Sequence, residues 1–415
     1  MDAISSESRA SHRSHPLDRS RGWVRAKLFQ HPAWAVAAVL LIAFNLRPAI
    51  TSVALFLTDI RRDLGLSALE ISGLTMAPVI CLGAFGPVAP ALARRLGVEV
   101  VLLASLLALA IGCIVRSFGA APLFLGTVII GASMCLLGVL TPVIVKRDFP
   151  RHIGLMMGLY TMLICLGPAV ATATAVPMRH ALGDSWESVL LFWCLPALVG
   201  AIVFLPQLLR KATTNGTAEA HVISVLRDPL AWQVTGYFGL ISSLAYAVFS
   251  WGPSMLQARG LDPTASGVVV SISYIAQMVT GLLAPVIAGR QRDQRLIIVI
   301  AVAMTAAGLL GFIFAPVWSL SFVSVVLGLG QGAAFGVGLL LFVLRAGDSH
   351  AAAKLSALAQ SIGYVVGGVI GPFAVGLIYA WAGSWPAVGV FSTAVGLASL
   401  IFGLGAGRDR TLSVR

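Results

Sequence analysis

The chain has 415 residues, enough for two or three soluble domains, yet 58% of them are hydrophobic and only 11% are charged. Soluble globular proteins are about 25% charged, and the 43 glycines fit membrane helices, where glycine is more frequent. Those values, with a mean hydropathy of +0.93, exclude an ordinary soluble enzyme and make the lipid bilayer the chain's solvent. The net charge of +12 lies in short clusters between apolar runs, with no basic stripe or recognition motif, so nucleic acid is set aside as a partner.

Residues 1–32 are polar and basic, with Arg9, Arg13, Arg19, Arg21, Arg25 and Lys27, and are expected to form a disordered cytoplasmic tail. The apolar run that follows is about 25 residues long, too long for a signal-peptide core, so it reads as an uncleaved first span. A span needs about 20 apolar residues, and charges and prolines divide the rest into twelve. Their expected limits are 34–58, 70–93, 98–117, 121–145, 153–177, 187–208, 231–256, 265–289, 294–315, 318–344, 352–380 and 385–406. Residues 209–230 are the one long polar connection, a cytoplasmic linker between a six-helix half at 33–208 and another at 231–406, with a second tail at 407–415. The expected fold is an all-α membrane protein of twelve transmembrane helices in two pseudo-symmetric halves. Cytoplasmic loops carry excess Lys and Arg. The side with both termini holds 22 of them and the other side 5, which predicts a bacterial inner-membrane protein with both ends cytoplasmic.

The halves repeat one another. Gly65-Leu66 with Ser72-Gly73 is echoed by Gly260-Leu261 with Ser266-Gly267, and Tyr160 with Gly167-Pro168 by Tyr364 with Gly371-Pro372. Paired halves of this kind place a transporter's substrate site near the midplane between them. The glycine run at Gly328, Gly330, Gly332, Gly336 and Gly338 lies in an apolar span with no strand before it, so it reads as close helix packing, as does the series Gly363, Gly367, Gly371. Cys81, Cys113, Cys135, Cys165 and Cys194 fall in apolar runs without a CxxC pair and read as packing residues. Neither a metal site nor a cofactor is expected.

Every His, Asp and Glu lies at a span end or outside, leaving Arg47 as the ionisable side chain near the bilayer centre. A charge there costs about 2.5–3.5 kcal/mol on insertion scales and marks a functional site by default. Pro48 cannot donate to the carbonyl of Phe44 and turns Arg47 away from regular helix. With no intramembrane carboxylate beside it, the guanidinium fork suits a small planar acceptor from outside the chain. Asn45, Tyr160, Gln360 and Tyr364 are candidates for hydrogen bonds to the same ligand, and Tyr246, Ser271, Tyr274 and Gln331 are weaker ones.

At Asn45-Leu46-Arg47-Pro48-Ala49 the chain resembles the cyanate and nitroimidazole transporter family of the major facilitator superfamily. The likeness extends through Lys146-Arg147-Asp148-Phe149-Pro150, Gly158-Leu159-Tyr160-Thr161, Ala359-Gln360-Ser361-Ile362-Gly363-Tyr364 and Gly407-Arg408-Asp409-Arg410, nearly the whole membrane domain. It implies movement of small anions or small polar nitrogen compounds such as cyanate, with Arg47 as substrate contact. The superfamily loop after span two usually carries an acidic residue before its basic pair, and Ala93-Arg94-Arg95-Leu96-Gly97 does not.

The expectation is therefore alternating access, as a monomer, for a small monovalent anion, with dianions poor substrates because one cation balances one charge. Export of small neutral nitro-aromatic compounds is the second reading and an anion channel the third. A membrane-embedded enzyme is disfavoured, since no nucleophile and base lie within the spans. On the charge count, cysteines placed at 61–69 and 259–263 should label from outside the cell and those at 210–228 from inside. Reversed labelling at either place overturns the orientation.

Overall fold

Apolar segments in lipid can satisfy their backbone only as helices or closed barrels, and this chain takes the helical solution. The computed structural model describes residues 32–54, 56–209 and 225–412, and no strand occurs among them. Eleven helical stretches are long and apolar enough to cross a bilayer. The twelfth expected span is present as two helices, Ala68–Phe85 and Val88–Leu96, parted at Gly86 and Pro87. Elsewhere the expected limits hold to within a few residues: span three is Val98–Val115, span five Ile153–Ala181, span eight Pro263–Ala288 and span ten Leu320–Leu344. The expected tail at 1–32, apart from Pro32, lies outside the described residues, as do 210–224 of the linker and 413–415 of the second tail. Span seven, Pro229–Gln257, starts where Asp228 accepts from the Leu230 N–H, with a proline pre-set at the first helical position.

Span one is interrupted as Pro48 dictates. Its helices are Pro32–Asn45 and Pro48–Ala54, with Leu46 and Arg47 between them. The Arg47 carbonyl opens the second helix, accepting from the N–H groups of Ile50 and Thr51 at 3.0 and 3.1 Å and from the Thr51 hydroxyl at 3.1 Å. Span five presses on this break. A β-carbon on Gly167 would lie 2.6 Å from the Phe44 carbonyl and 2.9 Å from the Pro48 ring. Its repeat mate Gly371 stands likewise against span seven, where a β-carbon would lie 2.5 Å from the Ser243 carbonyl. The repeated Gly-Pro pair thus works as a packing device that brings span five onto span one and span eleven onto span seven. Span eleven makes its approach through a π-helical turn, Val369–Phe373, between helices Ser349–Gly368 and Ala374–Ala382.

The two halves touch along two sides, span five against spans eight and ten and span eleven against spans two and four. Both are tight at one end of the bundle. A β-carbon on Gly158 would lie 2.4 Å from the Leu282 carbonyl, and Gly86 is pressed against the Ser361 side chain. At the same end Lys146, closing span four (Ala120–Asp148), reaches across to donate to the carbonyls of Val343 and Ala346 at 3.0 and 2.9 Å. Toward the opposite ends of spans two and eight, Gly73 and its repeat mate Gly267 both face open space. The halves are therefore held together on the Lys146 side, and on the Gly73 side these two glycines make no such close contact.

Two other arginines are buried at span ends. Arg116, expected at the outer end of span three, is 1% exposed there and donates to the carbonyls of Ala49 and, at 3.0 Å, Leu190. It ties the second helix of span one to the short helix Trp186–Phe192 that begins span six. Arg345, expected in a loop, is 3% exposed and donates to Ala406 at 2.7 Å and Gly407 at 3.0 Å, capping the last span, Trp385–Ala406. Arg259 does the same for the end of span nine (Arg295–Phe314) through Gly311, Phe312 and Ala315. Helix C-termini present carbonyls without intrahelical partners and a negative dipole end, so arginine suits them. On the Gly73 side Arg179 pairs with Asp59 at 2.6 Å and Arg62 with Asp63 at 3.0 Å, and the Arg62 bond holds the Asp63 carboxyl below the usual carboxylate range. Much of the positive charge on that side is thus already paired or capping a helix. Replacing Arg116 with leucine leaves two buried carbonyls short of a donor and should destabilise the protein by about 1–3 kcal/mol. The check is the melting midpoint of the purified variant; an unchanged midpoint means the carbonyls find other donors.

Candidate functional site

The break in span one sits at the floor of the space between the halves. Two adjoining lobes lie there, of about 350 and 420 Å³, and Arg47 and Tyr246 line both. Both linings are mostly apolar with a few polar groups, the composition of small-molecule sites, where the polar groups fix orientation. Arg47 is half-buried, and its guanidinium lies 5.5 Å from the centre of the Phe335 ring. A side chain from the first half therefore stacks on a ring of span ten in the second, a cation–π contact worth about 0.5–2 kcal/mol. No carboxylate lines either lobe, and Arg47 forms no ion pair among the described residues. Its charge is left for another partner.

The larger lobe brings together most of the expected residues. Tyr160, Gln360 and Tyr364 line it with Arg47, floored by Gly138 and walled by Met134 and Leu339. Tyr160 is 1% exposed, and its hydroxyl has no hydrogen-bond partner among the described residues. Tyr237 shows the alternative use of a buried tyrosine, donating helix to helix to the Ala334 carbonyl at 3.1 Å. Gln360 donates both to the Gly138 carbonyl, at 3.1 Å, and to the Ser356 hydroxyl, at 2.8 Å, so its amide nitrogen belongs to the seam between spans eleven and four.

The smaller lobe is faced with rings and amides. Tyr246 and Phe249 of span seven are edge to face at 6.0 Å, and Tyr246 continues to Tyr364 at 6.4 Å. Tyr274 packs behind this wall, 5.2 Å from Phe249. Gln331 lines the lobe as anticipated, and beside it is Gln277, whose amide nitrogen donates to the Gln331 oxygen at 2.7 Å. Gly332 lets span ten approach close enough for this pairing, since a β-carbon there would lie 2.2 Å from the Gln277 carbonyl.

Two expected residues are elsewhere. Asn45 donates to Leu41 at 2.8 Å and to Pro196 at 3.0 Å, which fastens span one to the longer helix of span six, Cys194–Leu209. Its amide is thus spent between spans one and six, and Asn45 lines neither lobe. Ser271 is exposed and returns its hydroxyl to the Gly267 carbonyl at 2.8 Å, the local bond that serine readily makes in a helix. Conversely, Gln277, Ser242, Cys165, Phe249 and Phe335 line the smaller lobe and were not singled out. Gln277 carried a usable signal, an amide in an apolar span like Gln331 and Gln360; the rings and small residues carried none in a chain so rich in both.

The arrangement can bind charge, accept and donate hydrogen bonds and stack a flat group; no cluster able to hold a metal occurs among the described residues. Known proteins resemble this chain along nearly its whole length. The profile of the Major Facilitator Superfamily matches residues 34–365. The 2-nitroimidazole transporter of Escherichia coli (strain K12) is 35% identical over 383 residues, 91% of this chain and 96% of that protein. The cyanate transport protein of the same organism is 28% identical over 350 residues, 84% of this chain and 90% of that protein. The proton:xylose symporter XylE superposes with a TM-score of 0.74 at 13% identity, over 91% of this chain and 97% of that one, a likeness of fold. A profile spanning most of the chain, two transporters similar over nearly all of it and a matching two-half architecture agree that this chain is a transporter belonging to the cyanate and nitroimidazole transporter family of the Major Facilitator Superfamily.

Proposed function

We propose that the protein carries a small monovalent anion such as cyanate across the bacterial inner membrane by alternating access, as a monomer, with Arg47 as the central contact. The observation that carries this reading is a half-buried guanidinium at the junction of the two lobes, with no carboxylate lining either. The Tyr160 and Tyr364 hydroxyls supply hydrogen bonds beside it. One cation matches one negative charge, so dianions bind poorly. With both termini cytoplasmic, the tight Lys146 side faces the cytoplasm and the described state is open to the outside. Transport then requires the Gly158 and Gly86 seams to part and the Gly73 and Gly267 ends to meet.

A second reading, carriage of small nitro-aromatic compounds, is favoured by a separate observation. The Phe335, Tyr246 and Phe249 rings give one lobe flat apolar faces beside Arg47, and a nitro group presents two coplanar oxygens as a carboxylate does. Uptake of labelled anions by whole cells, set against resistance conferred by efflux, discriminates the two.

If Arg47 contacts the solute, Arg47→Ala should insert and purify as wild type does, because it removes a costly charge from the midplane. Transport and anion-induced stabilisation should vanish in it. Arg47→Lys keeps the charge and loses the planar fork, so severe impairment is expected there too. The three proteins are compared by expression, monodispersity and ligand-induced melting shift, a ligand at 100 times its dissociation constant giving about 2.7 kcal/mol. A well-folded Arg47→Ala that transports with unchanged affinity sinks the anion-site reading.

Alternating access makes a different demand at Gly73. The open space there accepts a bulky side chain in the described state, whereas closing the outer end would crush it. Gly73→Trp should therefore keep ligand binding to within about twofold and abolish transport. Retained counterflow in that variant is incompatible with closure at this point.

A further inference from the structure

Gln331 and Gln277 form a short chain of amides with a fixed direction. Its anchor is the Leu244 backbone carbonyl, which can only accept a hydrogen bond. Gln331 therefore turns its NH₂ group to that carbonyl, at 3.4 Å, and its oxygen toward Gln277. Gln277 must answer with its own NH₂, at 2.7 Å, which leaves the Gln277 side-chain oxygen as the free end of the chain. That oxygen accepts no hydrogen bond among the described residues, and Gln277 lines the same lobe as Arg47. Ser242 lines this lobe too, is 2% exposed, and its hydroxyl has no hydrogen-bond partner. Burying a hydroxyl without a partner is costly, so Ser242 leaves this wall with an unmet hydrogen bond. The Gln277 oxygen beside it can only accept, so it calls for a donor.

We infer that Gln277, held by Gln331 and assisted by Ser242, is the subsite for an N–H or O–H donor carried by the same solute whose negative or nitro oxygens pair with Arg47. This deepens the proposed function and rests on it: among small solutes with an acidic or nitro group, the carrier binds more tightly those that are planar and also bring a hydrogen-bond donor, while an ion that can only accept, such as cyanate, keeps its Arg47 contact and forgoes the subsite. The Phe335, Phe249 and Tyr246 rings frame the space between the two polar ends and set the requirement for flatness.

Two monoanions of nearly the same shape isolate the donor. Pyrrole-2-carboxylate has a ring N–H where furan-2-carboxylate has a ring oxygen, and both present a planar carboxylate. Titration calorimetry on the purified full chain should give wild type a dissociation constant about twofold to tenfold lower for the pyrrole, the ratio expected for one hydrogen bond. Gln277→Met should bring the ratio close to one by weakening the pyrrole alone. Gln331→Met, which frees the Gln277 amide to turn, should lower the ratio in part and gives an independent reading should the first variant fold poorly. Equal binding of the two rings by wild type, or a preference that survives in both variants, overturns the donor subsite. So does binding of neither ring while smaller monoanions such as cyanate or nitrate still bind. If no monoanion binds at all, the anion reading at Arg47 fails first and the subsite with it.

Discussion

The structure turns on a proline that cannot donate. Because Pro48 leaves the Phe44 carbonyl without its helical partner, span one stops at Asn45 and restarts at Pro48, and Arg47 is held at the gap. The gap would be untenable against lipid, where an unsatisfied peptide group costs several kcal/mol. It is enclosed instead by span five, which gets close because residue 167 has no side chain, and it borders a polar cavity. The same proline thus deprives a carbonyl of its partner, bends the backbone and aims a cation at the space between the halves.

Around that point the two halves contribute unequal chemistry. The first supplies Arg47 and Tyr160, and the second supplies the rings and the amide pair. The halves are linked at this depth by the Arg47 stack on Phe335 and by the Gln360 bond to the Gly138 carbonyl. The stack is weak enough to exchange for a ligand, as the role proposed for Arg47 requires. The tight contacts lie toward one end, where glycine faces and the Lys146 bridge hold the halves together; at the other end the repeat-related glycines Gly73 and Gly267 face open space. The repeat supplies a glycine to each half at that open end, so close approach there is sterically available. The arginines at 116, 259 and 345 are of another kind, since each is spent on backbone carbonyls.

The amino-acid sequence by itself determined the solvent, the span count, the halves and the place of Arg47. These follow from quantities that are local along the chain: a bilayer thickness sets the length of an apolar run, and proline acts on its own neighbours. Tyr160, Tyr364 and Gln360 were legible because the repeat marks them and because a polar group in an apolar run stands out. The glycine runs were legible as packing faces for the same local reason. Only the tertiary structure decided which face of each helix meets the cavity. Asn45 and Arg47 are two residues apart and point to different neighbours, and Arg116 looks like an ordinary span-end cation until the carbonyls of Ala49 and Leu190 are brought to it from distant parts of the chain. Gln277 and Gln331 are 54 residues apart, and the direction of their hydrogen bonds is set by a third span through the Leu244 carbonyl. Which groups are left without a partner depends on all the helices at once, and a one-dimensional pattern carries no record of it.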